Sequence, residues 1–247
     1  MADRVRFAPE WEGINGVFGG RVLAALATAA QVVPGFHVLS LAAEFSGSVA
    51  PGEADLTVSI RHKGARTASV EVELVQGHPR VRAVAKLARV QGAEIPSEPI
   101  DLSGLPAPAD VPVFDPPYRD RAWTQLMELR LLPERGGRVT NRAWARLAED
   151  APAVAELDAL SRAAVLLDAM PPGLLFRERP AAYVPTIDFT LYLRPQAPVS
   201  PDGWYLLESW TVWAREDFCL EDVSLFTSTG EIVAQARQNR RVAWTTE

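Results

Sequence analysis

One order of elements runs through this chain twice, and that repetition limits its fold more than any other feature. The first copy opens with the helical run GVFGGRVLAALATAAQ, closed by VPGF. A strand-like run, HVLSLAAEF, follows, and then a turn at Pro51-Gly52. Next come the alternating runs ADLTVSIRHKG and TASVEVELVQG, and finally RVRAVAKLARV. The second copy opens with LSRAAVLLDAM, closed by PPGLLF, and continues through YVPTIDFTLYLRP to a turn at Asp202-Gly203. It ends with WYLLESWTVWA, FCLEDVSLFTSTG and EIVAQARQNRRV. Gly77 aligns with Gly230, and the runs that follow them align without gaps. Val70, Val72 and Leu74 alternate with Ser69, Glu71 and Glu73, the period of a half-buried antiparallel strand. The expected unit is a helix followed by an antiparallel meander, with the helix on one face of its sheet. Two such sheets joined edge to edge give one continuous sheet around both helices and hide two edge strands. The expected fold class is α+β.

These units divide the chain into repeats at 1–95 and 121–247, with a linker at 96–120. The linker region, AEIPSEPIDLSGLPAPADVPVFDPPY, is rich in proline and poor in periodicity, so it is expected to lie extended over the surface. Beyond it, AWTQLMELRLLP and RVTNRAWARLA read as strands leading to the second helix.

The chain has 247 residues, 48% hydrophobic and 23% charged, an ordinary globular composition. A net charge of −6 argues against nucleic acid and anionic membrane surfaces as partners. Cys219 is the only cysteine, which permits no internal disulfide and suits a reducing compartment. No apolar run is long enough to span a bilayer, so the expected location is cytoplasmic. His37, His62 and His78 have no ligand spacing, and no glycine-rich phosphate loop occurs, so no metal or cofactor is expected.

Within LSRAAVLLDAMPPGLLF one residue stands out. Asp168 faces the negative end of its own helix dipole among apolar neighbours, where both the dipole and desolvation oppose a charge. An acid in such a place reads as a site residue. The internal repeat sharpens this: aligning VPGF on PPGLLF puts Ala30 opposite Asp168, and aligning the last strands puts Leu87 opposite Gln238. The second copy is polar where the first is silent.

Several motifs together resemble the double-hotdog acyl-CoA thioesterases of the type II, medium- and long-chain class. They are GGRVLAALATAAQ, PGE and RHKGARTASVEVELVQG in the first half, and the helix ending in Asp168, TIDFTLYLRP, DGWYLLES and GEIVAQARQ in the second. The resemblance implies a double-hotdog fold and an acyl-CoA substrate. It also implies a water held by Asp168, Thr186 and Gln238, with no covalent intermediate. Asp168 would act as general base, while Thr186 and Gln238 fix the water. Gly19 and Gly20, opening the first helix, would let a thioester carbonyl approach the main chain. A unit equivalent to a hotdog dimer also leaves room for homo-oligomers.

Other assignments compete. Asp188 offers a second acid in TID, though bonding to backbone or partner groups is the simpler role. Gln238 lies among Arg237, Asn239, Arg240 and Arg241, as a solvated edge would. Cys219 reads as a buried thiol rather than a nucleophile. Arg61, Lys63, Arg66, Arg237, Arg240 and Arg241 offer charge for CoA phosphates or simply solubilise. A hotdog dehydratase would need a histidine in the second half, which has none. A non-catalytic acyl-thioester or hydrophobic-ligand binding protein on the same fold is the alternative to hydrolysis.

Overall fold

The computed structural model describes residues 2–116, 118–133, 141–176 and 181–244. Among them one sheet of eleven strands carries two main helices. The first half contributes β1 (Ala2–Phe7), α1 (Gly19–Ala30), β2 (His37–Phe45), β3 (Gly52–Lys63), β4 (Thr67–Gln76) and β5 (His78–Ala88). The second contributes β6 (Met127–Leu131), β7 (Asn141–Leu147), α2 (Ala159–Leu167), β8 (Thr186–Leu193), β9 (Tyr205–Ala214), β10 (Phe218–Thr227) and β11 (Ile232–Arg241). The spatial order is β1-β3-β4-β5-β2-β8-β11-β10-β9-β7-β6.

The halves join where β2 pairs antiparallel with β8, bringing Leu41 opposite Leu191, both fully buried. The continuous sheet expected from the repeat, and the double-hotdog architecture that the resemblance implies, are therefore the observed ones. The order within each half is not a simple meander. In the first, β2 pairs with β5 while β3, β4 and β5 run as a hairpin series; in the second, β8 pairs with β11 in the same way. The returning strand closes each unit at the seam. Sequence period reports which residues face inward but is silent on which strands are neighbours.

Turn chemistry follows the repeat. Gly52, Gly77, Gly203 and Gly230 all have positive φ (116°, 76°, 75° and 88°), which a side chain would strain. Each helix lays its apolar face on its own half-sheet and meets the other helix at the centre of the core.

Local detail adds to the sequence reading and in one place departs from it. The N-terminal strand β1 extends the first half-sheet by pairing with β3. AWTQL forms a 3-10 turn, Ala122–Leu126, that buries Trp123 and Leu126, and the strand begins only at Met127. Of the run RVTNRAWARLA, residues 138–140 lie outside the described residues, and the strand is described from Asn141. The proline-rich connection is also more than a spacer. Ile100, Leu102, Leu105 and Val111 cover Trp144, Leu206 and Phe226 on the outer face of the second half-sheet. The Trp144 indole donates to the Pro106 carbonyl at 2.9 Å, and the Ile100 amide to Gly230 at 2.9 Å. Proline removes donors that a strap outside any ladder does not need.

Candidate active site

The two helices run antiparallel: Gly20 of α1 lies against Val165 of α2, and the Thr28 hydroxyl meets the Ser161 hydroxyl at 3.1 Å. The C-terminal end of α2 therefore abuts the N-terminal end of α1. Phe18, the N-cap of α1, offers no capping side chain. The cap comes from Asp168, whose Oδ2 accepts the Gly20 amide at 2.8 Å. The acid that looked misplaced on its own helix is well placed on the other one, where amide donors and a positive dipole end await it.

The glycine pair makes this approach possible. A Cβ on Gly19 would sit 2.8 Å from the Asp168 Oδ2, and one on Gly20 2.9 Å from the Val165 Cα. Gly19 leaves room for the carboxylate and Gly20 for the neighbouring helix backbone. The Gly20 amide is thereby committed to the acid. Gly19 lines the cavity described next.

That cavity has a volume of ≈ 990 Å³ and is walled by aromatic and aliphatic side chains, including Phe18, Phe114, Trp123, Met170 and Phe189. Phe18 stacks on Trp123 at 4.4 Å, and Trp123 lies 5.8 Å from Tyr118. Asp168, Thr186 and Arg240 lie in its polar lining, beside Asn15, Ser46, Ser48, Tyr118 and Tyr183. Burial pushes the Asp168 carboxyl up to about 6, against the lowering effects of the Arg240 charge and the Gly20 amide; the Glu221 charge adds to the rise. Two units above its ordinary value means that ionisation costs roughly 3 kcal/mol more than in water.

Gln238 is 1% exposed and does not lie on a solvated edge. It sits behind Thr186, whose hydroxyl donates to its Oε1 at 3.0 Å. The structure thus brings Asp168, Thr186 and Gln238 to one region, with Asp168 and Thr186 in the cavity wall and Gln238 a layer deeper. Gln238 Oε1 can only accept, so the hydroxyl is the donor, and Arg240 Nη1 donates to the same Thr186 oxygen at 3.1 Å. Asp188 is engaged elsewhere, accepting from the Asn239 side chain at 2.9 Å and from its backbone amide at 3.3 Å.

Three participants escaped the sequence reading. Arg240, grouped there with possible phosphate contacts, is buried in the site. Glu221 pairs with it, Oε2 to Nε, at 2.8 Å. Tyr118 comes from the linker; burial raises its hydroxyl to about 12, so it stays protonated. Glu221 had a detectable signal, since Cys219, Glu221, Val223 and Leu225 share one inward phase of β10. Tyr118 had none. Of the other cations, Arg61 is paired with Glu71 and Arg237 with Asp222. Cys219 is buried, and that burial lifts its thiol to about 11, away from nucleophilic use. Among the described residues no cluster suited to a metal ion occurs, and no helix is long and apolar enough to cross a membrane.

Two family profiles together match most of the chain. Residues 7–88 match the acyl-CoA thioesterase N-terminal domain, and residues 99–242 the acyl-CoA thioesterase C-terminal domain. The chain belongs to this acyl-CoA thioesterase family. Solved structures of the same fold include acyl-CoA thioesterase II TesB2 from Mycobacterium marinum (TM-score 0.76, 19% identity, covering 99% of this chain and 94% of that one). A hot dog protein of unknown function from Alicyclobacillus acidocaldarius gives 0.82 and 20%, with 99% and 94% covered. The tesB protein of Mycobacterium avium subs paratuberculosis gives 0.72 and 18%, with 98% and 92% covered. No curated protein matches by sequence.

Proposed function

We propose that this protein hydrolyses acyl-CoA thioesters to a free acid and CoA, using a water activated by Asp168. The observation that carries this reading is a carboxylate, raised to about 6, at the wall of a large apolar cavity. Such a group is largely ionised at neutral pH and still basic enough to take a proton. Thr186 spends its own proton on Gln238 and one lone pair on Arg240, which leaves one lone pair facing outward. A water donating to Asp168 and to that lone pair keeps its remaining electrons for the thioester carbonyl. Gln238 acts through Thr186. The attack places a negative charge on the carbonyl oxygen, for which the Gly19 amide is the proposed backbone donor. Collapse of the adduct breaks the carbon–sulfur bond, and the thiolate leaves with the proton that Asp168 removed from water.

Release of free thiol from a panel of acyl-CoAs of increasing chain length tests the proposal. Turnover by the wild type and its loss in Asp168→Asn are the expected results. Tight binding of a non-cleavable thioether analogue with no turnover of any thioester would replace hydrolysis with a binding function.

A further inference from the structure

At the cavity wall three charged side chains are buried together, Asp168 and Arg240 in the lining and Glu221 behind them. Arg240 is 6% exposed, Glu221 5%, and the Asp168 side chain 11%. Arg240 is held from three sides: by an ion pair to Glu221 at 2.8 Å that is not aligned as a hydrogen bond, and by hydrogen bonds to the Val184 carbonyl at 3.2 Å and to Thr186 at 3.1 Å. Its Nη2 stops 3.9 Å short of the Asp168 Oδ1. Glu221 is anchored in turn, its Oε1 accepting the Gly173 amide at 2.8 Å, where the turn Gly173–Phe176 begins.

The separation matters. A guanidinium in direct contact with a buried carboxylate forms a strong charge-assisted pair and suppresses its basicity. A carboxylate buried with no cation nearby stays protonated at neutral pH. A cation kept near the acid but beyond hydrogen-bond distance gives an intermediate setting, which a general base needs. We propose that Arg240, clamped by Glu221, is the positioning residue of this site: it sets the ionisation of Asp168 from a fixed distance and orients the Thr186 hydroxyl. Glu221 works through Arg240. The proposal rests on Asp168 as the base of the proposed hydrolysis.

Among the described residues, few groups surround Asp168. The Gly20 amide comes from α1, the Tyr118 hydroxyl from the linker, the Thr186 hydroxyl from β8, Glu221 from β10 and Arg240 from β11. Replacing Glu221 by Gln removes a negative charge and frees Arg240 to close on Asp168, and both changes make the acid stronger. Replacing Arg240 by Met removes the cation and makes it weaker.

The experiment follows the Asp168 carboxyl carbon by NMR titration of the full-length, carbon-13-labelled protein, with its signal assigned through Asp168→Asn. A pH–rate profile with an acyl-CoA accompanies it. Glu221→Gln is expected to lower the Asp168 midpoint by about one pH unit or more, and Arg240→Met to raise it by at least as much. In the rates, the acid limb moves with each midpoint. Should a single variant fail to fold, the Glu221→Gln/Arg240→Met double variant removes both charges at once. Its midpoint is expected above the wild type's, because Arg240 outweighs Glu221 at Asp168. An unmoved midpoint with rates lowered equally at every pH overturns the proposal and leaves the pair a purely structural role. Midpoints that shift as stated in a protein that cleaves no thioester uphold the positioning role and reject the hydrolysis.

Discussion

The two ends of the central helix pair are related by the internal repeat, yet they solve the same problem differently. At one end the N-terminus of α2 is capped from its own chain segment: Asp158 accepts the Ser161 amide at 2.7 Å. At the other, the N-terminus of α1 is capped from across the interface by Asp168. The self-capped end is stitched by Thr28 and Ser161, and its counterparts to the site residues, Ala30 and Leu87, are buried and apolar. The cross-capped end holds the cavity, the buried charges and the raised carboxyl. Moving one capping acid from a helix's own N-cap to its neighbour's C-terminus turns a structural cap into a group that faces a cavity. A helix cap stabilises by about 1 kcal/mol in either form, so the exchange costs little at the cap. The cost falls on ionisation instead.

That difference can be broken most forcefully at Asp168. Asp168→Asn keeps an oxygen for the Gly20 amide and removes the base, so turnover is expected to fall by roughly 10³-fold. The same variant is expected to be more stable at neutral pH. Because the folded pKa of about 6 lies above the ordinary 3.8, the native state binds the extra proton between these values. The wild type therefore loses stability as pH rises from 3.8 to 6, up to about 3 kcal/mol, and does not recover it above. Calorimetry at pH 7.5 should show Asp168→Asn melting above the wild type, with the gap closing toward pH 4. An equal melting point at both pH values would deny the acid its strained setting.

Next in size is Thr186→Val, which removes both the outward lone pair and the link from Arg240 to Gln238. A loss of kcat by about 10²-fold with little change in KM is expected, as for a water displaced by about an ångström. A change confined to KM would place Thr186 in binding instead.

How much of this was legible before the fold? The repeat, the hairpin glycines and the inward phase of the strands were, because each depends on local period or local φ. Asp168 was visible as an anomaly, yet its explanation was not. A dipole argument confined to one helix sees only the unfavourable end; the favourable one belongs to residues 148 positions away. Gln238 is legible as a site residue, and alternation separates it from its cationic neighbours, placing Arg237 and Arg241 outward while Arg240 shares its inward face. Tyr118 was invisible, since a linker without periodicity gives no indication of which face it covers. Strand pairing at the seam was likewise out of reach of local pattern.

A third test compares the helix ends through packing. Gly20→Ala places a methyl 2.9 Å from the Val165 Cα and 3.0 Å from its carbonyl oxygen, neither of which belongs to a flexible side chain. A destabilisation of about 1–3 kcal/mol is expected from overpacking. The partial separation of the helices also weakens the contact between Gly20 and Asp168, so the acid limb of the rate profile should rise. Denaturant unfolding and the pH profile together check both effects.

The smallest expected effect comes from the self-capped end. Asp158→Ala deprives the Ser161 amide of its acceptor and should cost about 1 kcal/mol. Asp158 lies at the opposite end of α2 from Asp168, across a helix of nine residues and about 15 Å away. It neither lines the cavity nor contributes to the ionisation of Asp168. Turnover per folded molecule should therefore equal that of the wild type, with the same acid limb. If losing this cap also shifted the limb, the two ends would be coupled through the helix pair, and the division into a structural end and a chemical end would have to be abandoned.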